Sequence, residues 1–239
     1  MIKADKLFYT PCYLGKTENY VLPEEESQHA VKVLRMQAGE IIHLVNGQGG
    51  LFEAEIVNPH PKRCEVKIVN SEYEYGKRTF HLHIAIAPTK MNERIEWFLE
   101  KATEIGIDEV TPVICRYSER KELKLPRMEK ITVAAMKQSV KAYLPKLNEP
   151  CSFEQLLKNA TGSQKFIAHC YEDEKILLKE AYATGLDVLI LIGPEGDFSK
   201  EEIEQALKAG YKPVSLGNSR LRTETAGIVA CHTINLLND

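Results

Sequence analysis

Apolar and polar positions change rhythm about a third of the way along the chain. Over the first 70 or so residues, short apolar stretches alternate in the manner of strands: Lys6 to Tyr9, Ile41 to Val45, Leu51 to Val57 and Cys64 to Val69. Asn46-Gly47-Gln48-Gly49-Gly50 supplies the glycines that a tight hairpin takes at positive φ, and Asn58-Pro59-His60-Pro61 separates the next two strands. One helix is predicted here, Glu24 to Met36. Three acids sit at its positive N-terminal end, and Ala30, Val31, Val33, Leu34 and Met36 form its buried face. Gly39 is its expected stop. These elements describe a small β-barrel, and the polar stretch Tyr73 to Lys77 marks its boundary.

Beyond it, strand and helix alternate. The pattern predicts strands at His81 to Ala87, Glu109 to Cys115, Lys165 to His169, Val188 to Gly193 and Lys212 to Leu216. Helices are predicted at Asn92 to Ile105, Arg127 to Ala142, Phe153 to Asn159, Glu174 to Ala183, Lys200 to Ala209 and Thr223 to Leu237. Such alternation is the mark of an α/β domain with a mostly parallel sheet, whose ligands bind at the carboxyl ends of the strands. The expected division is 1–72 for the barrel and 73–239 for the α/β domain.

Three strand ends carry residues with chemistry. The apolar run Val188 to Ile192 ends in Gly193-Pro194-Glu195-Gly196-Asp197-Phe198-Ser199, with Ser199 a good N-cap for the following helix. This is either a plain connection or a ligand loop. It is no phosphate cradle, because it lacks G-x-G-x-x-G and G-K-[ST], and Glu195 and Asp197 would repel phosphate. A neutral base or a cationic centre fits better. Leu216-Gly217-Asn218-Ser219-Arg220-Leu221-Arg222-Thr223-Glu224 brings a bend, two arginines and a hydroxyl to the same edge, with Thr223 a candidate N-cap. There Arg222 and Glu224 are either a surface ion pair or part of a site. The third end holds His169, either a structural histidine or a pocket wall.

Composition narrows the picture. At 44% hydrophobic and 27% charged residues the chain is an ordinary globular one, and a net charge of -3 gives no global positive field for nucleic acid. Charge is uneven, however: Arg116 to Lys146 holds nine basic residues against three acids. That stripe is either a solvated helix face or a footprint for phosphates. No apolar run approaches a membrane span, and MIKADKLFYT does not read as a secretory signal, so a cytoplasmic location is expected. The six cysteines show no zinc-ligand spacing and read as free thiols; no metal is expected.

Taken together, these segments resemble one family. Gly193-Pro194-Glu195-Gly196 and Arg222-Thr223-Glu224-Thr225-Ala226, at consecutive strand ends, are similar to the ribosomal small-subunit methyltransferase E family, of the knotted SPOUT class. Lys101 to Gly106 with Val110-Thr111-Pro112, Ser118-Glu119-Arg120, Ala134 to Ser139 with Pro145, and His29 to Met36 with Gly39 agree. The resemblance spans essentially the whole chain. It implies an N-terminal PUA-like RNA-binding barrel, an α/β trefoil-knot domain, a homodimer, S-adenosylmethionine as cofactor, and methylation of uracil N3 in 16S ribosomal RNA.

The implied cofactor residues are His169, Leu191, Ile192, Gly193, Pro194, Glu195, Gly196, Leu216, Gly217, Leu221, Arg222 and Thr223. Arg222 would favour the uracil anion or anchor a phosphate, and Glu224 would take the N3 proton or orient Arg222. Arg35, Glu104, Arg116, Arg120, Lys121, Gln138, Lys141 and Arg220 would face the RNA. The chain departs from the family pattern in three places. Asp197 stands where a second glycine is usual, Ser219 precedes Arg220 where the arginine usually comes one place earlier, and Gln138-Ser139-Val140-Lys141 replaces Gln-Ser-Gly-Arg. The competing readings are a SPOUT enzyme acting on transfer RNA or another ribosomal base, a non-catalytic ribosome-assembly factor, and a nucleotide hydrolase, which lacks its phosphate loop.

Overall fold

A computed structural model describes residues 4–12, 19–160, 163–171 and 174–239. The described residues form two compact units, one within residues 1–77 together with 133–144, the other within 78–132 and 145–239.

The first unit contains β1 (Leu7–Tyr9), β2 (Asn19–Val21), α1 (Glu24–Gln28), β3 (Ile41–Val45), β4 (Leu51–Asn58) and β5 (Glu65–Glu72). The strands form one sheet in the order β1-β3-β4-β5-β2. Only the β1–β3 pairing is parallel. Strict alternation turns Ile42, Leu44, Phe52, Ala54, Ile56, Val66 and Ile68 inward, where they enclose Phe8 and Met36. The predicted helix keeps its start, but after Gln28 it widens into a π-helical turn, His29–Val33. Leu34 N–H bonds His29 O and Met36 N–H bonds Ala30 O. Arg35, at φ 56, ends it well before Gly39. Edge strand β2 has no counterpart in the sequence reading.

The second unit is a doubly covered parallel sheet. Its elements are β6 (Leu82–Ile86), α2 (Asn92–Ile105), β7 (Glu109–Ile114), α3 (Leu125–Gln138), β8 (Lys146–Leu147), β9 (Cys151–Ser152), α4 (Phe153–Asn159), β10 (Gln164–Ala168), β11 (Ile176–Leu177), α5 (Leu178–Ala181), β12 (Val188–Ile192), α6 (Lys200–Lys208), β13 (Lys212–Ser215) and α7 (Thr223–Asn238). The second half of α3 belongs by its packing to the first unit. Strand order is β11-β13-β10-β12-β6-β7-β8, with β9 also on β7, and every pairing is parallel. All strand carboxyl ends therefore lie along one edge. Both faces are dry, which is why Val188 to Ile192 is apolar at every position. One face packs on Ile95, Phe98 and Ala102 of α2 with Ala230 and Ile234 of α7; the other packs on Phe153 and Leu156 of α4 with Ile203 and Ala206 of α6.

Two predicted helices change length. The one expected at Arg127 to Ala142 ends at Gln138, in a cap where Lys141 N–H bonds Met136 O and Val140 N–H bonds Lys137 O. The one expected at Glu174 to Ala183 is a single turn, because Ile176 and Leu177 pair instead with Val214 and Ser215 of β13. Helix α6 begins as expected: Ser199 Oγ accepts from Glu202 N–H at 3.2 Å, and Glu202 Oε2 accepts from Ser199 N–H at 2.8 Å. Ser199→Ala should cost about 1 kcal/mol. Thermal unfolding should then show a Tm lower by about 2–4 °C; an unchanged Tm would show that the cap adds nothing here.

All six cysteines are free. No described helix is long and apolar enough to cross a membrane. Among the described residues no group of three or more His, Cys, Asp or Glu side chains gathers to hold a metal.

Candidate functional site

The carboxyl edge of the sheet holds a cleft of about 520 Å³, lined from the ends of β10, β12 and β13. Its walls are Ala168 to Tyr171 and Lys175, Gly196 and Asp197, and Val214 to Leu221, with Ala226 of α7. A volume of this order suits a nucleoside-sized ligand, and the lining mixes apolar side chains with backbone amides, as small-molecule sites do.

Each loop is held in place by identifiable contacts. Gly193 lies against the Phe198 ring: a Cβ there would come within 3.0 Å of it. Gly196 lies equally close under Tyr117, so both glycines answer to close approach. Glu195 is not part of the cleft lining, and its Oε1 accepts from Lys90 N–H at 3.0 Å, clasping the end of β12 to the loop after β6. Asp197 has φ 65, in the left-handed region that glycine and aspartate tolerate best. Its carboxylate accepts from Phe198 N–H at 2.8 Å and from Cys170 N–H at 2.7 Å, joining the loops after β12 and β10.

The start of α7 closes the site from the other side. Thr223 is not the N-cap; Arg222 is, with extended backbone and no side-chain cap. Thr223 is the first helical residue, and its Oγ1 donates to Gly193 O at 3.0 Å, tying the two motif loops together. Glu224 follows in the first turn and is only 6% exposed. Its Oε1 lies 3.9 Å from Arg94 Nε of α2, too far for a hydrogen bond, and its Oε2 is buried without a hydrogen-bond partner. Such an oxygen in the interior requires an explanation. Arg222 is exposed, and among the described residues no ion pair joins it to Glu224; the cation that faces Glu224 is Arg94, which its place in a charged helix does not mark out.

Of the expected cofactor residues, His169, Gly196, Leu216, Gly217 and Leu221 line the cleft. Leu191, Ile192, Gly193, Pro194 and Thr223 are buried and are not part of that lining. His169 is 7% exposed, packs against the Tyr171 ring, and its carbonyl accepts from Lys175 Nζ at 2.7 Å.

The expected RNA-facing residues are dispersed. Arg116, Arg120 and Lys121 lie in the loop after β7. Glu202 Oε1 holds that loop through Arg116 N–H at 2.8 Å, and Arg120 donates twice to Lys90 O. Glu104 sits at the far end of α2, paired with Lys101 at 2.8 Å. Arg35, Gln138 and Lys141 belong to the first unit. Arg220 is on the cleft itself.

A family model described as an RNA methyltransferase domain matches residues 76–235, and one described as an RNA methyltransferase PUA domain matches residues 22–69. The chain belongs to the RNA methyltransferase family. This methyltransferase is 28% identical over 235 residues to the ribosomal RNA small subunit methyltransferase E of Rickettsia conorii, covering 96% of this chain and 94% of that one. Among solved structures it is similar to one described as a probable rRNA-methyltransferase from Porphyromonas gingivalis, at 44% identity and TM-score 0.91 over 98% of both chains. It is also similar to the ribosomal RNA small subunit methyltransferase E of Neisseria gonorrhoeae bound to S-adenosyl methionine, at 25% identity and TM-score 0.86 over 98% of both. The resemblance read from the two loop motifs is thus shown, and the α/β domain with an N-terminal PUA domain stands as the fold.

Proposed function

We propose that this RNA methyltransferase uses S-adenosylmethionine to methylate N3 of a uridine in 16S ribosomal RNA. One observation carries the reading. Thr223 Oγ1 on Gly193 O joins the two motif loops at the nucleoside-sized cleft, and the next residue, Glu224, carries a buried carboxylate oxygen with no hydrogen-bond partner. The relatives named for small-subunit methylation, one of them solved with S-adenosyl methionine, support cofactor and substrate class.

The cleft fits the cofactor. Its floor of Ala168, Val214 and Leu216 suits an adenine ring, and the backbone of Gly196, Gly217 and Leu221 offers polar groups to orient it. When bound, S-adenosylmethionine supplies an activated methyl group. The chain's residues supply the rest. Uracil N3 holds a weakly acidic proton, and its lone pair must be freed before it can accept a methyl group. Glu224, with one oxygen unpartnered, is the acceptor for that proton, and Arg94 faces it with positive charge. Arg222, exposed at the cap of α7, favours the uracil anion or anchors a phosphate. The uracil must first be swung out of its stack.

Arg116, Arg120 and Lys121 would hold RNA phosphates from the second compact unit, and Arg35, Gln138 and Lys141 would face the RNA from the first. Glu104 is assigned to the RNA side as well. A homodimer, a trefoil knot in which the last strand and helix thread through an earlier loop, a barrel of residues 1–72 before a methyltransferase domain of residues 73–239, no metal requirement, and action on ribosomal subunits in the cytoplasm complete the proposal.

The test is direct. The purified chain is incubated with labelled S-adenosylmethionine and small ribosomal subunits lacking the modification, and the RNA is digested to nucleosides. 3-Methyluridine is expected. Label in transfer RNA or on another base overturns the substrate, and no labelling of any RNA with no cofactor binding overturns the activity. Subunit affinity should fall about 10³-fold or more between 50 and 200 mM salt, as when six or more phosphates are contacted; a flat response removes the basic stripe from the interface.

A further inference from the structure

Two oppositely charged side chains line the cleft. Asp197 comes from the loop after β12 and Arg220 from the loop after β13. They are also two of the places where this chain departs from its family's pattern. Among the described residues no ion pair joins them to each other. We infer that Asp197 and Arg220 are the two poles of a zwitterion-reading site, Asp197 for an α-ammonium and Arg220 for an α-carboxylate. The inference rests on the cleft being the S-adenosylmethionine site, and it assigns the cofactor's amino-acid end.

The geometry favours this use. The Asp197 carboxylate is fixed before any ligand arrives, by Cys170 N–H at 2.7 Å and Phe198 N–H at 2.8 Å. Each oxygen of a carboxylate can accept more than one hydrogen bond, so both can still receive a donor from the cleft. Fixing the acceptor beforehand lowers the ordering cost of binding. The guanidinium of Arg220 offers a planar fork that matches a carboxylate. Lys175, the other cation on the wall, already donates to His169 O and Tyr171 O at 2.7 and 2.6 Å. The fields converge at Cys170 on the same wall. Burial pushes its thiol up, Asp197 adds to that, and Arg220 and Lys175 pull the other way. Only the amino-acid end of the ligand carries both an ammonium and a carboxylate, so it is the part that a bipolar wall of this kind matches.

The experiment is calorimetric titration of the full chain and its variants with S-adenosylmethionine, S-adenosylhomocysteine, decarboxylated S-adenosylmethionine and 5′-methylthioadenosine, which lacks the amino-acid end. Asp197→Asn should weaken the first two by about 10- to 100-fold, the size of a lost charge-assisted hydrogen bond. It should leave methylthioadenosine unchanged. Asp197→Gly, which keeps the left-handed backbone, should behave the same way. Arg220→Gln, on an exposed loop, should weaken S-adenosylmethionine by a similar factor and leave the decarboxylated form unchanged. Equal losses for methylthioadenosine would overturn the inference, because the residues would then act on loop shape. A loss confined to S-adenosylmethionine and absent for S-adenosylhomocysteine would assign Asp197 to the sulfonium and overturn the ammonium contact. If the wild-type chain binds none of the four, the cofactor reading itself falls, and this inference falls with it.

Discussion

Glu224→Gln is expected to lower the rate of methyl transfer by about 10²- to 10⁴-fold, the usual range for loss of a positioned acid or base, with S-adenosylmethionine binding nearly unchanged. The substitution keeps the volume of a side chain that is only 6% exposed, so the packing between α2 and α7 should survive. What changes is the oxygen that has no partner. Single-turnover methylation of unmodified subunits, followed across pH, reads the effect, with calorimetry for cofactor binding. A deficit that shrinks at higher pH marks Glu224 as the base, and a constant deficit marks an orienting role. Full activity at every pH would remove it from the reaction. Arg222→Ala is the companion measurement: it should remove activity while the cofactor still binds, since Arg222 is exposed and lies outside the cleft lining. Loss of cofactor binding would show that its role at the uracil is wrong.

Much of this site was legible in the sequence, for physical reasons. A parallel sheet covered on both faces needs strands that are apolar throughout, so Val188 to Ile192 announces both the strand and the loop after it. Gly193 and Gly196 are glycines because Phe198 and Tyr117 come within 3.0 Å of where a Cβ would stand, closer than ordinary van der Waals contact. The Ser199 cap follows from its spacing to Glu202. Other features depend on what the fold brings together. Ile176 and Leu177 suit a helix by spacing, yet the open edge of β13 offers backbone partners and takes them as β11. Val140 occupies a left-handed cap, φ 55, that a β-branched residue rarely adopts. Its packing against Leu7, Val45, Leu51 and Met136 offsets the strain, and neither neighbour nor strain is visible locally. Arg94 lies in a helix rich in charge and reads as one solvated residue among several. Only the pairing of α2 with α7 sets it opposite Glu224. Asp197 reads as a lost glycine in the sequence; in the fold its carboxylate ties the loops after β10 and β12 together.

That helix pairing is itself open to a decisive test at Gly227. Glycine in a helix interior usually costs about 1 kcal/mol against alanine, so a methyl group there should ordinarily stabilise. Here a Cβ would meet Phe98 Cε2 at 2.6 Å and Ile86 Cδ1 at 3.0 Å. Those neighbours are ring and branched side chain in a packed core, with both residues fully buried. Overpacking of this kind costs about 1–3 kcal/mol, so Gly227→Ala should destabilise on balance. Phe98→Ala should cost about 3–5 kcal/mol by leaving a cavity. The double variant should be more stable than the sum of the two predicts, by about 0.5–3 kcal/mol, because the new methyl group enters the space the ring vacates. Urea unfolding of the four proteins measures the cycle. Additivity within about 0.5 kcal/mol would mean that the ring and the glycine do not share this contact. Function should follow stability here more closely than at a surface site. Gly227 lies one turn beyond Glu224 and Phe98 one turn beyond Arg94, so the contact that glycine permits also sets the separation of the carboxylate and the guanidinium facing it.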